Sequence, residues 1–315
     1  MKSDPRNSNH VIFWLNALQT VMKAAPFEYA RVANVDEACA ILASDESARV
    51  IAGGQTLVPM MVMRLARPTR LIDINRIAEL SYIRSDGDAI SIGATTRQCR
   101  VERDALIAAK LPLLARAISF VGHAATRARG TIGGSLANAD PAAELPLIAV
   151  TLDAILAYRA GGRTEKIAAR DFYIGPMTTN LPSDAVLTSV QFPKWLGKVG
   201  VSFCEVNARR SDFAFVAAAA QVELSADGRC NRIVIGIGAA TDFPIRLTSA
   251  EEQLKDSTLD AVTVKGAVLE ALADIAPLSD LHASAEYRRR VAVNLATRAV
   301  ADARSHAIGK NRHAN

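Results

Sequence analysis

The chain has few residues of the kinds that bind metals or form disulfides. It carries only four cysteines and five histidines among 315 residues. The four cysteines are far apart in the sequence and none forms a CxxC pair; they are Cys39, Cys99, Cys204 and Cys230. The histidines form no HxH or HExxH pattern. We therefore expect reduced, mostly buried thiols, and no metal bound by this chain itself.

Long apolar runs and a basic stripe are also missing. Lysine and arginine outnumber aspartate and glutamate by 37 to 32, and the basic residues are spread along the chain, which argues against nucleic acid as a partner. Residues 11–22 (VIFWLNALQTVM) are interrupted by Asn16, Gln19 and Thr20, are too short to span a bilayer, and precede a poor cleavage site. We interpret residues 1–21 as an N-terminal extension of a cytoplasmic protein.

Familiar catalytic and nucleotide-binding motifs are absent as well. There is no GxxxxGK[ST] loop, no Ser-His-Asp or Cys-His constellation, and no obvious pair of catalytic carboxylates. Gly236 and Gly238 resemble the start of a dinucleotide fingerprint, but Asp242-Phe243-Pro244 follows in place of a helix, so we predict a strand end and a turn. We predict no catalytic residue on this chain and assign its chemistry to a cofactor.

What is present is enough apolar material for two domains, since 50% of the residues are apolar and 22% are charged. Residues 48–74 predict a strand, a Gly-Gly turn, a helix over 56–65 and a second strand, joined as a right-handed crossover if the strands are parallel. Prolines and glycines cluster around residues 181–200, which predicts a domain boundary near residue 200. Further helices are predicted over 96–110, 113–123, 143–152, 249–254, 259–275 and 285–306, and further strands over 154–158, 164–168, 201–207, 213–224 and 232–239.

The first Gly-Gly pair follows a predicted strand and precedes a helix, in the stretch Ala52-Gly53-Gly54-Gln55-Thr56. Backbone N–H groups at such a junction favour an anion, and residues without a Cβ let those groups approach a phosphate closely. The alternative is a tight turn between strand and helix, with Thr56 as the helix N-cap.

The second Gly-Gly pair is also flanked by hydroxyls, in the stretch Thr131-Ile132-Gly133-Gly134-Ser135. Asn138, Asp140 and Glu144 follow it, and Pro141 is predicted to start the next helix. Asp140 then has the alternative role of an N-cap and Glu144 that of a first-turn acid; with a bound ligand, both would accept hydrogen bonds from sugar or ribityl hydroxyls. Two such loops in one domain favour a ligand over coincidence.

Taken together, the two glycine stretches closely resemble the FAD-binding medium subunit of molybdenum hydroxylases, the flavoprotein of the xanthine dehydrogenase and carbon monoxide dehydrogenase type. The resemblance covers roughly residues 22 to 305 and includes five motifs in order. They are IAGGQTLVPMM with its continuation to residue 74, RGTIGGSLANADPAAELP (129–146), FCEVNARRSDFA (203–214), IGAATDFPIRL (237–247) and SAEYRR (284–289).

The resemblance implies an α+β fold. Residues 22–198 would form an FAD-binding domain of the PCMH or vanillyl-alcohol-oxidase type, with subdomains at about 22–75 and 76–198. Residues 199–306 would form a small α+β domain with a three-stranded antiparallel sheet, and 307–315 a flexible tail.

The resemblance also implies roles for particular residues. The FAD pyrophosphate would be held from two sides by Ala52, Gly53, Gly54, Gln55 and Thr56 and by Thr131, Ile132, Gly133, Gly134 and Ser135. Asn138, Asp140 and Glu144 match positions that hold ribityl or ribose hydroxyls. Asp212 and Phe213 match a segment near the isoalloxazine, and we expect Phe213 to pack against that ring.

The sequence departs from the family pattern at several positions. Ser211 stands where glycine usually precedes Asp212, and residues 123–130 read HAATRARG where relatives often resemble HPQIRNRG. The cysteine cluster that some relatives use for an additional iron–sulfur centre is absent, so none is predicted on this chain.

The function implied is electron transfer within a heterotrimeric complex. A large molybdopterin-binding subunit would hydroxylate the substrate, and a small [2Fe–2S] subunit would pass electrons to FAD on this chain. An external acceptor (NAD+, oxygen, a quinone or a carrier protein) would receive them, and the complex would assemble as a dimer of heterotrimers. Two alternatives are a stand-alone FAD reductase of the same fold, whose substrate acid and GSN-type loop are not found, and a flavin-free interaction subunit, against which the paired glycine loops argue.

Overall fold

The computed structural model describes residues 23–195 and 197–309. The predicted N-terminal extension and most of the predicted tail, residues 310–315, lie outside this part of the chain. Among the described helices, none combines the length and the apolar composition needed to cross a membrane.

The chain begins with a three-stranded parallel sheet in the order β1-β3-β2. Its strands are β1 (Glu28–Arg31), β2 (Arg49–Ile51) and β3 (Arg70–Asp73), connected by helices α1 (Val35–Ser44) and α2 (Leu57–Val62). The predicted strand–Gly-Gly–helix–strand unit is confirmed, with parallel strands. Helix α2 is shorter than predicted because Arg64, at φ +61°, takes a left-handed conformation that cannot continue a right-handed helix.

A five-stranded antiparallel sheet follows, in the order β4-β5-β10-β6-β7. Its strands are β4 (Ile83–Asp86), β5 (Ala89–Gly93), β6 (Ile155–Ala160), β7 (Arg163–Ala168) and β10 (Val186–Pro193). The short strands β8 (Tyr173–Gly175) and β9 (Thr178–Thr179) form a separate hairpin. The helices of this part are α3 (Gln98–Arg103), α4 (Ala105–Lys110), α5 (Pro112–Ala117), α6 (Ala124–Arg129), α7 (Ile132–Asn138), α8 (Glu144–Thr151) and α9 (Ala169–Phe172).

Two of the predicted helices are not continuous in the structure. The helix predicted over 96–110 is broken at Asp104, whose Oδ1 accepts hydrogen bonds from the backbone N–H groups of Leu106 (2.9 Å) and Ile107 (3.1 Å) and so caps α4. The helix predicted over 113–123 ends at Ala117 and continues only as a 3₁₀ turn.

The helix after the second glycine pair begins later than predicted. Pro141 does not start it: α8 begins at Glu144, with Ala143 as N-cap. Asp140 closes a turn of its own, since its Oδ1 accepts from the backbone N–H of Ala142 at 2.9 Å. The predictions that Asp140 caps the next helix and that Pro141 starts it are therefore wrong. The prediction that Glu144 is an acid in the first turn of that helix is confirmed.

The C-terminal part is a four-stranded antiparallel sheet covered by three helices. The strands are β11 (Val199–Asn207), β12 (Ala214–Leu224), β13 (Cys230–Gly238) and β14 (Ile245–Arg246), and the helices are α10 (Thr248–Leu254), α11 (Ala261–Ala271) and α12 (Ala285–Ala307). The three long strands agree with the predicted sheet, and a two-residue fourth strand joins its edge after the turn at Asp242. Gly236 and Gly238 lie at the end of β13, as predicted.

The small residues of β12 follow from burial on both faces of this sheet. Ala217 and Ala219 belong to the core of the central part of the chain, whereas Ala218 and Ala220 belong to the core beneath the C-terminal helices. Because successive side chains of a strand point to opposite faces, both faces need small apolar residues at close packing distances. The C-terminal sheet is thus packed against the central helices, and a cavity lies along this junction.

Candidate cofactor site

A cavity of about 1020 Å³ lies where the three sheets meet. This is at the upper end of the ~300–1,000 Å³ that small-molecule and cofactor sites occupy. Most of its lining residues come from four segments, within residues 49–57, 121–144, 208–215 and 278–288. The cavity has room for a large ligand, and such a ligand could contact residues from all four segments.

Fourteen of the fifteen predicted cofactor-binding residues line this one cavity. They are Ala52, Gly53, Gly54, Gln55, Thr56, Thr131, Gly133, Gly134, Ser135, Asn138, Asp140, Glu144, Asp212 and Phe213. Ile132 is the exception, because its side chain is buried in the hydrophobic core at 1% exposure and its backbone N–H donates to Thr96 O. The spacing of residue types in the sequence could not separate Ile132 from its neighbours.

The first glycine loop presents unpaired backbone donors to the cavity. It leaves β2 and turns at Gly54, which has φ +69° and therefore favours glycine. In the described part of the chain, the N–H groups of Gly53, Gly54 and Gln55 have no hydrogen-bond acceptor. Thr56 occupies the N-cap position of α2, as the turn alternative predicted, but its side chain makes no capping hydrogen bond. These donors are suited to an anion.

The two glycine loops are in backbone contact. A Cβ built on Gly53 would lie 2.6 Å from Arg129 O and 2.8 Å from the Cα of Gly130, which no side chain could tolerate. Glycine at position 53 is thus required by the approach of the residues that lead into the second loop. Gly53 and Gly133 are 133 − 53 = 80 residues apart in the sequence, and the fold brings the two loops together in one cavity.

The second glycine loop is the first turn of α7, and its donors are already paired. Gly133 N–H donates to Ala94 O at 2.8 Å, and Gly134 N–H donates to Thr131 Oγ1 at 3.1 Å. A Cβ on Gly133 would lie 2.5 Å from the Cβ of Ala94. This loop therefore contributes close packing and the half-buried Ser135 to the cavity wall, in contrast to the free N–H groups of the first loop.

Two acids, Asp140 and Glu144, line the cavity. Burial raises the pKa of Asp140, and the backbone N–H of Ala142 opposes that shift. Burial also raises the pKa of Glu144 to about 7; the negative charge of Asp140 adds to this and Arg127 opposes it. Neither carboxylate forms a salt bridge with a described residue. Their oxygens are available to accept hydrogen bonds from ligand hydroxyls.

An aromatic ring forms one wall at the junction with the C-terminal sheet. Phe213 lies between β11 and β12, is 69% exposed and lines the cavity. The turn that carries it contains Ser211 at φ +73°, a conformation in which glycine is unstrained. The exposed face of Phe213 can pack against a planar ring.

The sequence did not identify the wall that α12 contributes. Arg288 is only 3% exposed and donates to the carbonyls of Phe215 and Ala239 and to Asp280 Oδ2 (2.6 Å). The backbone N–H of His282, together with the backbone N–H of Ala283 and the Arg288 guanidinium, lowers the pKa of Asp280 to about 2, and desolvation opposes this shift. The His282 ring stacks on Phe215, with centroids 6.0 Å apart and planes 14° from parallel. The SAEYRR motif contained Arg288, but its role depends on contacts across 49 to 73 residues.

Comparison with known proteins identifies the class to which this fold and cavity belong. Residues 25–195 match the family described as the FAD binding domain in molybdopterin dehydrogenase, and residues 201–303 match the CO dehydrogenase flavoprotein C-terminal domain. The chain belongs to this family of FAD-binding medium subunits of molybdenum hydroxylases, which are oxidoreductases, and its cofactor is FAD.

Individual relatives extend over nearly the whole chain. It is 35% identical over 283 residues to the 6-hydroxypseudooxynicotine dehydrogenase complex subunit alpha of Paenarthrobacter nicotinovorans, covering 90% of this chain and 96% of that protein. It is 33% identical to the carbon monoxide dehydrogenase medium chain of Afipia carboxidovorans, covering 89% and 98%. The crystal structure of quinoline 2-oxidoreductase from Pseudomonas putida 86 superposes with a TM-score of 0.86 at 33% identity, covering 92% and 99%.

The residues of the cavity fit this cofactor. FAD combines a pyrophosphate, hydroxyl-bearing chains and a flat aromatic ring system. The cavity offers unpaired N–H groups at the first glycine loop, the half-buried carboxyls of Asp140 and Glu144 and the exposed ring of Phe213 on its wall. The family assignment and the chemistry of the lining residues therefore agree.

Proposed function

We propose that this chain is the electron-transfer subunit of a heterotrimeric molybdenum hydroxylase. Its FAD would receive electrons from the [2Fe–2S] clusters of a small subunit and deliver them to an external acceptor, while a large molybdopterin-binding subunit hydroxylates the substrate. The relatives named as medium chains and as a complex subunit support this arrangement. We assign residues 22–198 to the FAD-binding domain and 199–306 to a C-terminal domain, in a cytoplasmic complex that forms a dimer of heterotrimers.

The single observation that carries the proposal is the meeting of the two glycine loops in one cavity. In the proposed arrangement, the N–H groups of Gly53, Gly54 and Gln55 bind the pyrophosphate. Ser135 and the packed glycines of α7 limit the space on the opposite side, with Thr56 and Thr131 at the edges of the two loops. Glycine at position 53 keeps the loops close enough to hold one pyrophosphate between them.

Asn138, Asp140 and Glu144 are proposed to hold the ribityl and ribose hydroxyls. Both acids lie in the cavity wall without an ion-pair partner, so a hydroxyl donor would relieve the cost of their burial. Phe213, next to Asp212, would cover the isoalloxazine and exclude water from it. When bound, FAD supplies the redox chemistry, and these side chains bind and orient it.

The substrate is proposed to be selected elsewhere in the complex. The relatives are named for compounds as different as caffeine, glyceraldehyde and carbon monoxide. Each nevertheless matches 84% or more of this chain. A subunit that is retained across such different substrates is suited to a step that all of them share, and electron transfer is that step.

The test is to purify the chain alone and together with its co-expressed partners. We expect oxidised-flavin absorption, release of FAD on denaturation, and a complex with a large and a small subunit whose mass corresponds to two heterotrimers. Phe213→Ala should weaken flavin retention without unfolding the chain, because Phe213 is exposed. A folded, colourless protein would contradict FAD binding, and a chain that is active as a reductase without partners would favour the stand-alone alternative.

A further inference from the structure

The two glycine loops belong to different sheets and need something to hold them at a constant separation. The first follows β2 of the parallel sheet, and the second begins α7 beside the antiparallel sheet. Within the described chain, no backbone hydrogen bond joins residues 52–56 to residues 129–135. Their contact at Gly53 is a close packing of backbone atoms, which by itself resists compression but does not resist separation.

Two side chains bridge this gap. Arg97 donates through one guanidinium nitrogen to Arg129 O, ahead of the second loop, and through Nη2 to Asn75 Oδ1 at 2.8 Å. Asn75 in turn donates through Nδ2 to Ala52 O at 2.8 Å, in the first loop. We infer that Arg97 and Asn75 are positioning residues that fix the separation of the two glycine loops and thereby set the affinity for FAD.

The backbone around Arg97 is attached to the second loop. Arg97 forms an isolated β-bridge with Thr131, Gln98 N–H donates to Gly130 O at 2.9 Å, and Ile132 N–H donates to Thr96 O at 3.0 Å. These bonds make the main chain at residues 96–98 move with the second loop. The side chain of Arg97, in contrast, extends away from the second loop to Asn75, which is hydrogen-bonded to the first loop.

Asn75 is attached equally firmly to the parallel sheet. Its backbone N–H and its Nδ2 both donate to Asp73 Oδ1, at 2.8 Å and 2.7 Å, and Asp73 lies at the end of β3. The other carboxylate oxygen of Asp73 accepts from the hydroxyl of Tyr29 on β1. The side chain of Asn75 is therefore held in one orientation, with its Oδ1 toward Arg97 and its Nδ2 toward Ala52.

Arginine is suited to this position by the shape of its head group. The planar guanidinium donates in two fixed directions at once, whereas a lysine ammonium on a flexible stem lacks that rigid fork. Arg97 does not line the cavity, so it acts on FAD through the loops and not by contact. Arg97→Lys keeps the positive charge and removes the fork, which separates geometry from electrostatics.

This inference rests on the proposed pyrophosphate site, and the test separates the two. The flavin-free full-length chain is titrated with FAD for the wild type, Arg97→Lys, Asn75→Asp, the double variant, and Arg100→Lys as a matched control. Arg100 is exposed on α3, the helix whose N-cap is Arg97, and its side chain makes one hydrogen bond, to Ser81 O at 3.3 Å. We expect each bridge variant to weaken FAD binding about tenfold, a change of ~1.4 kcal/mol, and the control to bind as the wild type does.

The double variant shows whether the two residues form one link. Because breaking either side breaks the same bridge, its loss of affinity should be close to that of a single variant and not the sum of two. Hydrogen exchange of the amides in residues 52–56 and 129–135 should become faster in Arg97→Lys in both loops together. Unchanged exchange, wild-type affinity or additive losses would each overturn the inference. A wild type that takes up no FAD would overturn the proposed site, and the exchange measurement would still decide the bridge.

Discussion

At the scale of single residues, Ser211 adopts a backbone conformation that its side chain disfavours. Its φ of +73° places it in the left-handed region, where a residue with a Cβ costs ~1–2 kcal/mol relative to the right-handed one. Glycine would remove that cost but would also lose more chain entropy on folding, by ~0.4–1 kcal/mol. The departure from the family pattern therefore has a definite energetic consequence.

Ser211→Gly should raise the free energy of unfolding by about 0.5–1 kcal/mol, the difference between these two effects. Urea denaturation of the wild type and the variant measures it. Gly87→Ser is the matched control, because Gly87 also has a positive φ (+55°) and no atoms near its missing side chain. The substitution Gly87→Ser should lower the free energy of unfolding. If both substitutions changed the free energy of unfolding in the same direction, the explanation would be contradicted.

Glu144 makes the stability of the flavin-free protein depend on pH. Its pKa is raised by burial from 4.5 to about 7, so the folded state binds this proton more tightly than the unfolded state does. The free energy of unfolding is therefore highest, as far as Glu144 is concerned, below about pH 4.5, where the carboxyl is protonated in both states. It falls as the pH rises through about 7, by on the order of 3 kcal/mol in total. Glu205 has its pKa raised to about 7 as well, by burial and by the charge of Glu144.

Glu144→Gln should therefore stabilise the flavin-free protein at about pH 8 and have little effect at about pH 5. Urea unfolding at the two pH values measures the change. Glu46→Gln, at an exposed position, is the control and should show no such pH dependence. An equal effect of Glu144→Gln at both pH values would mean that its carboxylate is not the source of the dependence.

At the scale of elements, the end of helix α11 is held by a side chain from α12. Arg289 donates to the carbonyls of Leu272, Ala273 and Ile275, which follow the last turn of α11. The last carbonyls of a helix have no partner within it, so a guanidinium satisfies groups that would otherwise need water. Part of the SAEYRR motif thus serves helix packing and not the cofactor.

Arg289→Ala should lower the free energy of unfolding by about 1–2 kcal/mol, because three carbonyls lose a charged donor. Arg290→Ala is the neighbouring control. Arg290 is exposed and only lies over the ring of Tyr287, at 5.7 Å, so its removal should change stability by less than ~0.5 kcal/mol. Chemical denaturation of both variants decides, and equal losses would contradict the capping role.

The boundaries of the elements show how far local pattern could predict this fold. The long strands of the C-terminal sheet and several helices were predictable, because alternating or helical runs of apolar residues record which face is buried. Strands β1, β4 and β10 and helices α6 and α7 were not predicted. Other differences were caused by single residues: Asp104 as an internal cap, Arg64 in a left-handed conformation, and Asp140 closing its own turn. Each depends on a hydrogen bond or a backbone angle that residue type alone does not specify.

At the scale of the whole molecule, Arg246 ties the C-terminal sheet to the central part of the chain. It forms a close ion pair with Asp153 and a bidentate pair with Glu251, which is 5% exposed and also accepts from the backbone N–H of Ile235 at 2.8 Å. Arg246 belongs to the IGAATDFPIRL motif, so at least one residue of this motif serves to attach the C-terminal sheet to the central part of the chain.

Arg246→Met should destabilise the protein by about 3–5 kcal/mol, because it leaves the buried carboxylate of Glu251 without a counter-charge. Urea unfolding measures this loss. Arg229→Met is the control: Arg229 forms an exposed pair with Asp227 at 3.6 Å, and its loss should cost less than ~1 kcal/mol. Similar losses in the two variants would show that burial of the ion cluster is not what matters.

The sequence by itself determined the class of this protein and its cofactor, and fourteen of the fifteen residues that it predicted for that cofactor line the cavity. It could do so because glycine pairs, hydroxyls and acids are local requirements of the loops that carry them. Only the tertiary structure decided which loop keeps free N–H groups, that Ile132 faces the core, and that Arg97, Asn75 and Arg288 support the site. These properties arise from hydrogen bonds between distant segments, and such bonds are defined only once the chain has folded.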